Sequence, residues 1–154
     1  MAFTPWYTLR KFVYNNLHDD DYETWFSRCI NYFLILLILG NASAVILESV
    51  NDVYLAYQVF FDHFENFSIA VFTLEYLLRI WSIAEKDPFI SPWKQRGKWL
   101  TSGGAIIDLL AISPAYINFF VHLDLRFLRI LRLLRLLKLT RYFVSLQILL
   151  RVIE

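Results

Sequence analysis

The 154-residue chain is 58% hydrophobic and 18% aromatic, with a mean hydropathy of +0.46, which is too apolar for an ordinary soluble domain. A net charge of +1 supplies no bulk field for nucleic acid, so the information lies in where the charges sit. The single cysteine, Cys29, excludes an internal disulfide and any multi-cysteine zinc site.

The opening Met1-Ala2-Phe3-Thr4-Pro5-Trp6 is too aromatic, and too soon followed by acids, for a signal peptide. Between Thr4 and Asn16, the side chains of Trp6, Leu9, Phe12 and Val13 share one helical face. This predicts an interfacial helix within a cytoplasmic or interfacial segment 1–24, and equally allows a docking surface for another subunit.

From Cys29 to Leu47 there is no charge between Arg28 and Glu48. At ~1.5 Å per residue this stretch reaches roughly 28 Å, enough for a hydrocarbon core of about 30 Å. A second apolar stretch covers about 60–83 and contains Asp62, Glu65 and Glu75. The third covers about 103–121, begins loosely at Gly103-Gly104, contains Asp108, and is predicted to kink at Pro114. His122-Leu123-Asp124 leaves only a tight hairpin before the fourth, about 123–142.

The fourth stretch carries Arg126, Arg129, Arg132, Arg135, Lys138 and Arg141 at strict three-residue spacing among Leu, Ile and Phe. On an α-helix each step of three drifts by roughly 60°, so the cations describe a slow spiral. A surface, calmodulin-binding or nucleic-acid-binding helix would instead gather its charges on one broad face. Charge inside a bilayer is costly and points to function, and moving it does work of about 2.3 kcal/mol per charge per 100 mV. The pattern is that of a voltage sensor. The fold expected is an all-α membrane protein, an antiparallel four-helix transmembrane bundle over 25–143 with an N-terminal interfacial helix.

Basic residues flank the first stretch (Arg10, Lys11, Arg28) and fill the second-to-third connection (Lys86, Lys94, Arg96, Lys98). None lies between Glu48 and Glu65, or in the hairpin before Arg126. The asymmetry predicts a multi-pass protein of the cell membrane with both termini cytoplasmic, and Trp25, Trp81, Trp93 and Trp99 as anchors at the cytoplasmic interface.

Mobile cations need counter-charges. Glu65, Phe72, Glu75 and Arg79 share a face of the second stretch, with Glu65 roughly 15 Å outward of Glu75. Asp108 falls at about the depth of Glu75, and Glu48 ends the first stretch. Taken singly, Phe72 is also readable as core packing, Glu75 and Arg79 as a helical ion pair, and Asp108 as a helix-terminal charge. His18, His63 and His122 are scattered, with no Ser/His/Asp or metal-ligand spacing, so no enzyme, cofactor or metal is expected.

In these residues the chain resembles the voltage-sensor domain of voltage-gated potassium channels, of the voltage-gated cation channel superfamily, over roughly Trp25 to Leu150. The carriers are Phe72-Thr73-Leu74-Glu75 with Arg79-Ile80-Trp81, Ile106-Ile107-Asp108-Leu109-Leu110-Ala111-Ile112 before Pro114, and the cation run with lysine fifth. The resemblance implies that Arg126, Arg129, Arg132 and Arg135 are the main gating charges, with Lys138 and Arg141 completing the series. It implies that Phe72, Glu75 and Asp108 pass them one at a time, and that Glu65 is the outer acid, alongside Glu48. It further implies the lipid bilayer and the pore domain of a tetrameric parent channel as partners, and gating-modifier toxins at the third-to-fourth hairpin.

Ser145-Leu146-Gln147-Ile148-Leu149-Leu150 resembles the start of that family's linker to the pore, which assigns 144–154 to the linker. No fifth or sixth span and no Thr-Val-Gly-Tyr-Gly filter follows, so the expectation is a sensing module for a potassium-selective pore not present in this chain. The alternative is an autonomous voltage-gated proton channel, a family that carries an acid midway along the first span. Here that span offers Asn31, Asn41 and Ser43, and no acid before Glu48.

Overall fold

A computed structural model describes residues 5–18, 24–120, 125–140 and 142. The described residues form helices α1 (Pro5–Leu17), α2 (Trp25–Glu48), α3 (Asn51–Ser82), α4 (Pro92–Leu100), α5 (Gly103–Phe120) and α6 (Leu125–Arg132), with no strand among them. Two 3₁₀ segments accompany these, Ile83–Glu85 after α3 and Leu133–Lys138 after α6.

Thr24 starts α2 by accepting the Ser27 amide on its side chain (3.1 Å), which satisfies one of the free first-turn donors. The helix buries Leu34, Leu37, Ile38, Asn41 and Glu48, a stripe at helical spacing. Leu36, Leu39, Ile46 and Leu47 point out of the protein, and only 22% of the apolar window of α2 is buried inside the fold. So much exposed apolar surface suits hydrocarbon, not water. Both α2 and the stretch Asn51–Glu85 are long and apolar enough to cross a membrane. The pair Pro92–Leu100 and Gly103–Ile117, bent by 67°, brings the total to three if it is one broken span. The cation-bearing α6 and its 3₁₀ continuation are not among these spans, the described helix Leu125–Arg132 being only 8 residues long.

Several boundaries differ from those the sequence suggested. Only Ser49 and Val50 separate α2 from α3, which begins nine residues before the expected 60. Asp52 in its first turn favours that start, and the backbone departs from helical geometry at Tyr57 (φ −124°, ψ 20°). The second-to-third connection is largely helix α4, opened by Pro92 at a first-turn position where a missing N–H costs nothing. Gln95 holds the preceding loop, donating to the Asp87 and Ile90 carbonyls (2.5 and 2.9 Å) and accepting from the Asp87 amide (3.2 Å). Trp99 is not an interfacial anchor: it is buried between Tyr76 (ring centroids 5.6 Å apart) and His18 (5.9 Å). Trp25 and Trp93 are exposed. Helix α5 runs on through Pro114, and the hydroxyl of Ser113 donates to the Leu110 carbonyl (3.0 Å) that the proline leaves without its amide partner.

At one end of the fold α1 packs on α3, with Arg10 paired to Glu85 and His18 stacked on Tyr14. Asn16 ties α1 to α2, accepting from Thr24 Oγ1 (2.7 Å) on its side chain and from Ser27 Oγ (3.0 Å) on its carbonyl. Trp6, Leu9 and Phe12 remain exposed on the other face. A core of Leu34, Leu37, Ile38, Phe72, Tyr76, Ile112 and Tyr142 lies between α2, α3, α5 and the 3₁₀ segment after α6. The hairpin 121–124, Arg141 and the assigned linker 144–154 lie outside the described residues.

Candidate functional site

The cation run does not continue as the α-helical spiral its spacing suggested. From Leu133 to Lys138 the backbone is a 3₁₀ helix, in which residues three apart eclipse one another. The slow drift of the α-helix disappears there, and a three-residue step advances roughly 6 Å along the axis instead of about 4.5 Å. Arg135 and Lys138 thereby fall on one line, directed into the core formed by α2, α3 and α5.

Each described cation meets acceptors along that line. Arg132 lies nearest the α2–α3 link, with Nη1 2.8 Å from Glu48 Oε2 and Nη2 2.6 Å from Glu65 Oε2. One step on, Arg135 donates to Glu65 Oε1 (2.9 Å) and to the side-chain oxygen of Asn41 (2.6 Å). Another step on, Lys138 is fully buried, 2.5 Å from Glu75 Oε2 and 3.4 Å from Asp108 Oδ1. Its ammonium lies 4.4 Å from the centroid of the Phe72 ring, within reach of the ring's negative face.

Two anions hold Lys138, and a second cation shares them. Arg79 Nη2 pairs with Glu75 Oε1 (2.9 Å), and Nη1 stands 4.0 Å from Asp108 Oδ2. Glu75 and Arg79 therefore do form the helical ion pair that the spacing allowed, and Glu75 meets Lys138 as well. With Glu75 5%, Asp108 1% and Arg79 4% exposed, two carboxylates and two cations are buried together here among the described residues. Tyr142 adds its hydroxyl to Glu75 Oε1 at 3.4 Å. Toward the α2–α3 link a cavity of about 340 Å³ opens beside Glu65 and Arg132, lined also by Asp62, Asn66 and Pro114.

Of the residues singled out in the sequence, the fold thus brings together Glu48, Glu65, Phe72, Glu75, Asp108, Arg132, Arg135 and Lys138. Arg126 and Arg129 lie on α6 but their side chains are outside the described part, as is Arg141. Asn41 was noted in the sequence only as a residue that is not an acid, and it proves to be a direct partner of Arg135. A buried amide in an otherwise apolar helix was the available signal, because such a group needs partners. Among the described residues no group of three or more His, Cys, Asp or Glu could hold a metal ion.

Residues 27–154 match the family described as ion transport protein. The chain is also 32% identical over 154 residues to a Rhodopseudomonas palustris protein that bears the name of a potassium channel protein. The match covers 98% of this chain and 37% of that relative, so the chain spans a little over a third of the relative's length.

Proposed function

The chain belongs to the ion transport protein family, which makes it an ion-channel-related membrane protein, and from that premise we propose that it is a voltage-sensing module and not an enzyme. In this reading α2, α3, α5 and the α6–3₁₀ unit cross the bilayer as an antiparallel four-helix bundle, with both termini cytoplasmic and the α2–α3 link outside. Arg126, Arg129, Arg132, Arg135, Lys138 and Arg141 are the gating charges, and Phe72, Glu75 and Asp108 form the gate through which they pass. The exposed face of α1 lies on the inner membrane surface.

The observation that carries the reading is the position of Lys138. A fully buried ammonium, following Arg132 and Arg135 in a run of equally spaced cations, is held by two carboxylates and an aromatic face. Translating the fourth helix by three residues would exchange Lys138 for Arg135 in the same cage, so the cage can serve successive cations. The arrangement with Lys138 in it, and Arg135 and Arg132 outward, corresponds to the outward-displaced sensor. If four cations cross most of the field, 100 mV supplies on the order of 9 kcal/mol. Inverting a two-state equilibrium takes about 5.5 kcal/mol.

The pore that such a sensor would control is, by the name of its relative, potassium-selective, and it joins the bilayer as a partner of this chain. The hairpin 121–124 is the surface for gating-modifier toxins. The test is voltage clamp of cells expressing the full chain. A transient displacement current should appear, saturating at both voltage extremes, with equal charge outward and inward. A purely linear capacitance in cells that carry the protein at their surface would overturn the reading.

A further inference from the structure

Between the carboxylates at the α2–α3 link and the cage around Lys138, the ladder has one rung that carries no charge. Asn41 is 4% exposed, and its side-chain oxygen accepts from Arg135 Nη1 at 2.6 Å. Both hydrogens of its amide nitrogen are in use, one on the Leu37 carbonyl (2.7 Å) and one on Ser68 Oγ (2.8 Å). Ser68 is fully buried and directs its own hydroxyl proton to the Phe64 carbonyl at 2.8 Å, leaving its oxygen free to accept. The amide therefore cannot turn over without setting its N–H groups against a guanidinium and its oxygen against a carbonyl. The α2–α3 approach that permits this is close: a Cβ on the neighbouring Gly40 would stand 3.1 Å from Phe64 Cζ.

We propose that Asn41 is a neutral way-station for the moving cations: an amide oxygen locked by Leu37 and Ser68 to face each guanidinium as it passes between Glu65 and the Phe72–Glu75 cage. The proposal rests on the voltage-sensing reading and adds a rung that the charged residues do not supply. A carboxylate at this depth would hold a cation as a buried ion pair, which is far more costly to break than a hydrogen bond from a cation to a neutral acceptor. An apolar side chain would leave the guanidinium with an unmet donor in a dry site. The amide lies between these extremes, so the cation is stabilised without being trapped.

Displacement currents of the full chain test this with Asn41→Asp, Asn41→Leu and Ser68→Ala. Total charge should stay at the wild-type value in all three, since none removes a gating charge. Asn41→Asp should hold Arg135 in place, slow the inward return of charge by about tenfold or more and move the charge–voltage midpoint to more negative potentials. Asn41→Leu should do the reverse, speeding the return and moving the midpoint positive. Ser68→Ala, a small change that leaves the helix contact nearly intact, should follow Asn41→Leu in direction with a smaller shift, because it frees the amide to rotate. Asp and Leu variants that shift together, or a Ser68→Ala variant superimposable on wild type, would overturn the locked rung while leaving voltage sensing intact. Absence of displacement current from the wild type itself would overturn both.

Discussion

The ammonium of Lys138 stands 4.4 Å from the centroid of the Phe72 ring, on the side where Glu75 and Asp108 lie 2.5 and 3.4 Å away. An aromatic ring in that place does two things at once. It fills the crossing point with apolar volume, so that an electric field would fall over a short distance, and it offers a negative face to a cation stripped of water. Carboxylates alone would do only the second, and would do it too strongly for release.

Phe72→Leu should separate these two roles. It keeps an apolar plug of similar bulk but removes the ring face, at a loss of roughly 0.5–2 kcal/mol for Lys138 in its present position. The charge–voltage midpoint is expected to move to more positive potentials with little change in total charge. A midpoint unchanged from wild type would remove the ring from the mechanism.

Asp108→Asn should be severe. It removes one of the two carboxylates that Lys138 and Arg79 share among the described residues, and unbalancing a buried ion pair costs roughly 3–5 kcal/mol. Poor surface expression or a strongly shifted midpoint is expected, read by surface biotinylation and displacement currents together. Asp108→Glu, which preserves the charge, should recover most of the loss.

Neutralising Arg132 or Arg135 with glutamine should lower the charge moved per molecule, each by up to one elementary charge if it crosses the whole field. Arg135→Gln should also disturb the balance of charges more, because its side chain is 3% exposed against 22% for Arg132. Counting charge against the number of labelled proteins at the surface gives the measurement. Undiminished charge in both variants would contradict the assignment.

Sidedness can be read with cysteines at Asn51 and Phe89. Asn51 is exposed at the start of α3, and Phe89 is 95% exposed in the loop before α4, whereas Gln95 is buried and would label poorly. A Cys29→Ser background avoids the native thiol, which is exposed near the start of α2. An impermeant reagent should reach position 51 only from outside and position 89 only from inside.

Among the described residues, polar contacts from α1 and the residue after it to the end of α3 and its 3₁₀ extension include Arg10–Glu85 and His18 Nδ1–Ser82 Oγ (3.4 Å). Arg10 is 29% exposed, so Glu85→Gln should cost no more than about 1 kcal/mol. Hydrogen exchange across residues 5–17 is then expected to quicken by roughly fivefold, with α2 and α3 unchanged. Equal protection in wild type and variant would show that the remaining contacts, among them Asn16 with Thr24 and Ser27, hold the helix without the ion pair.

How much of this was legible beforehand depends on whether the controlling physics is local. Apolar stretches long enough for hydrocarbon, and six cations at a fixed interval, are properties of the chain itself, so a helical membrane protein and its charged stripe could be read directly from the residues. The acids Glu48, Glu65, Glu75 and Asp108 stood out for the same reason, since unpaired charge in an apolar segment is costly wherever it folds. The burial of Trp99 could not be read this way. It depends on neighbours distant in the chain: His18, just after α1, and Tyr76 of α3 enclose the ring, and no window around residue 99 contains either.

The 3₁₀ geometry and the role of Asn41 are tertiary decisions too. Three-residue spacing is compatible with either helix type, and the narrower one is chosen where Arg135 and Lys138 both have partners along one line. Above all, the sequence is indifferent to register. Sliding the stripe by one cation replaces like with like at every acceptor, so the residues name the partners as two sets. Only the packed structure, with Lys138 against Phe72 and Arg135 against Asn41, selects which member of one set faces which member of the other.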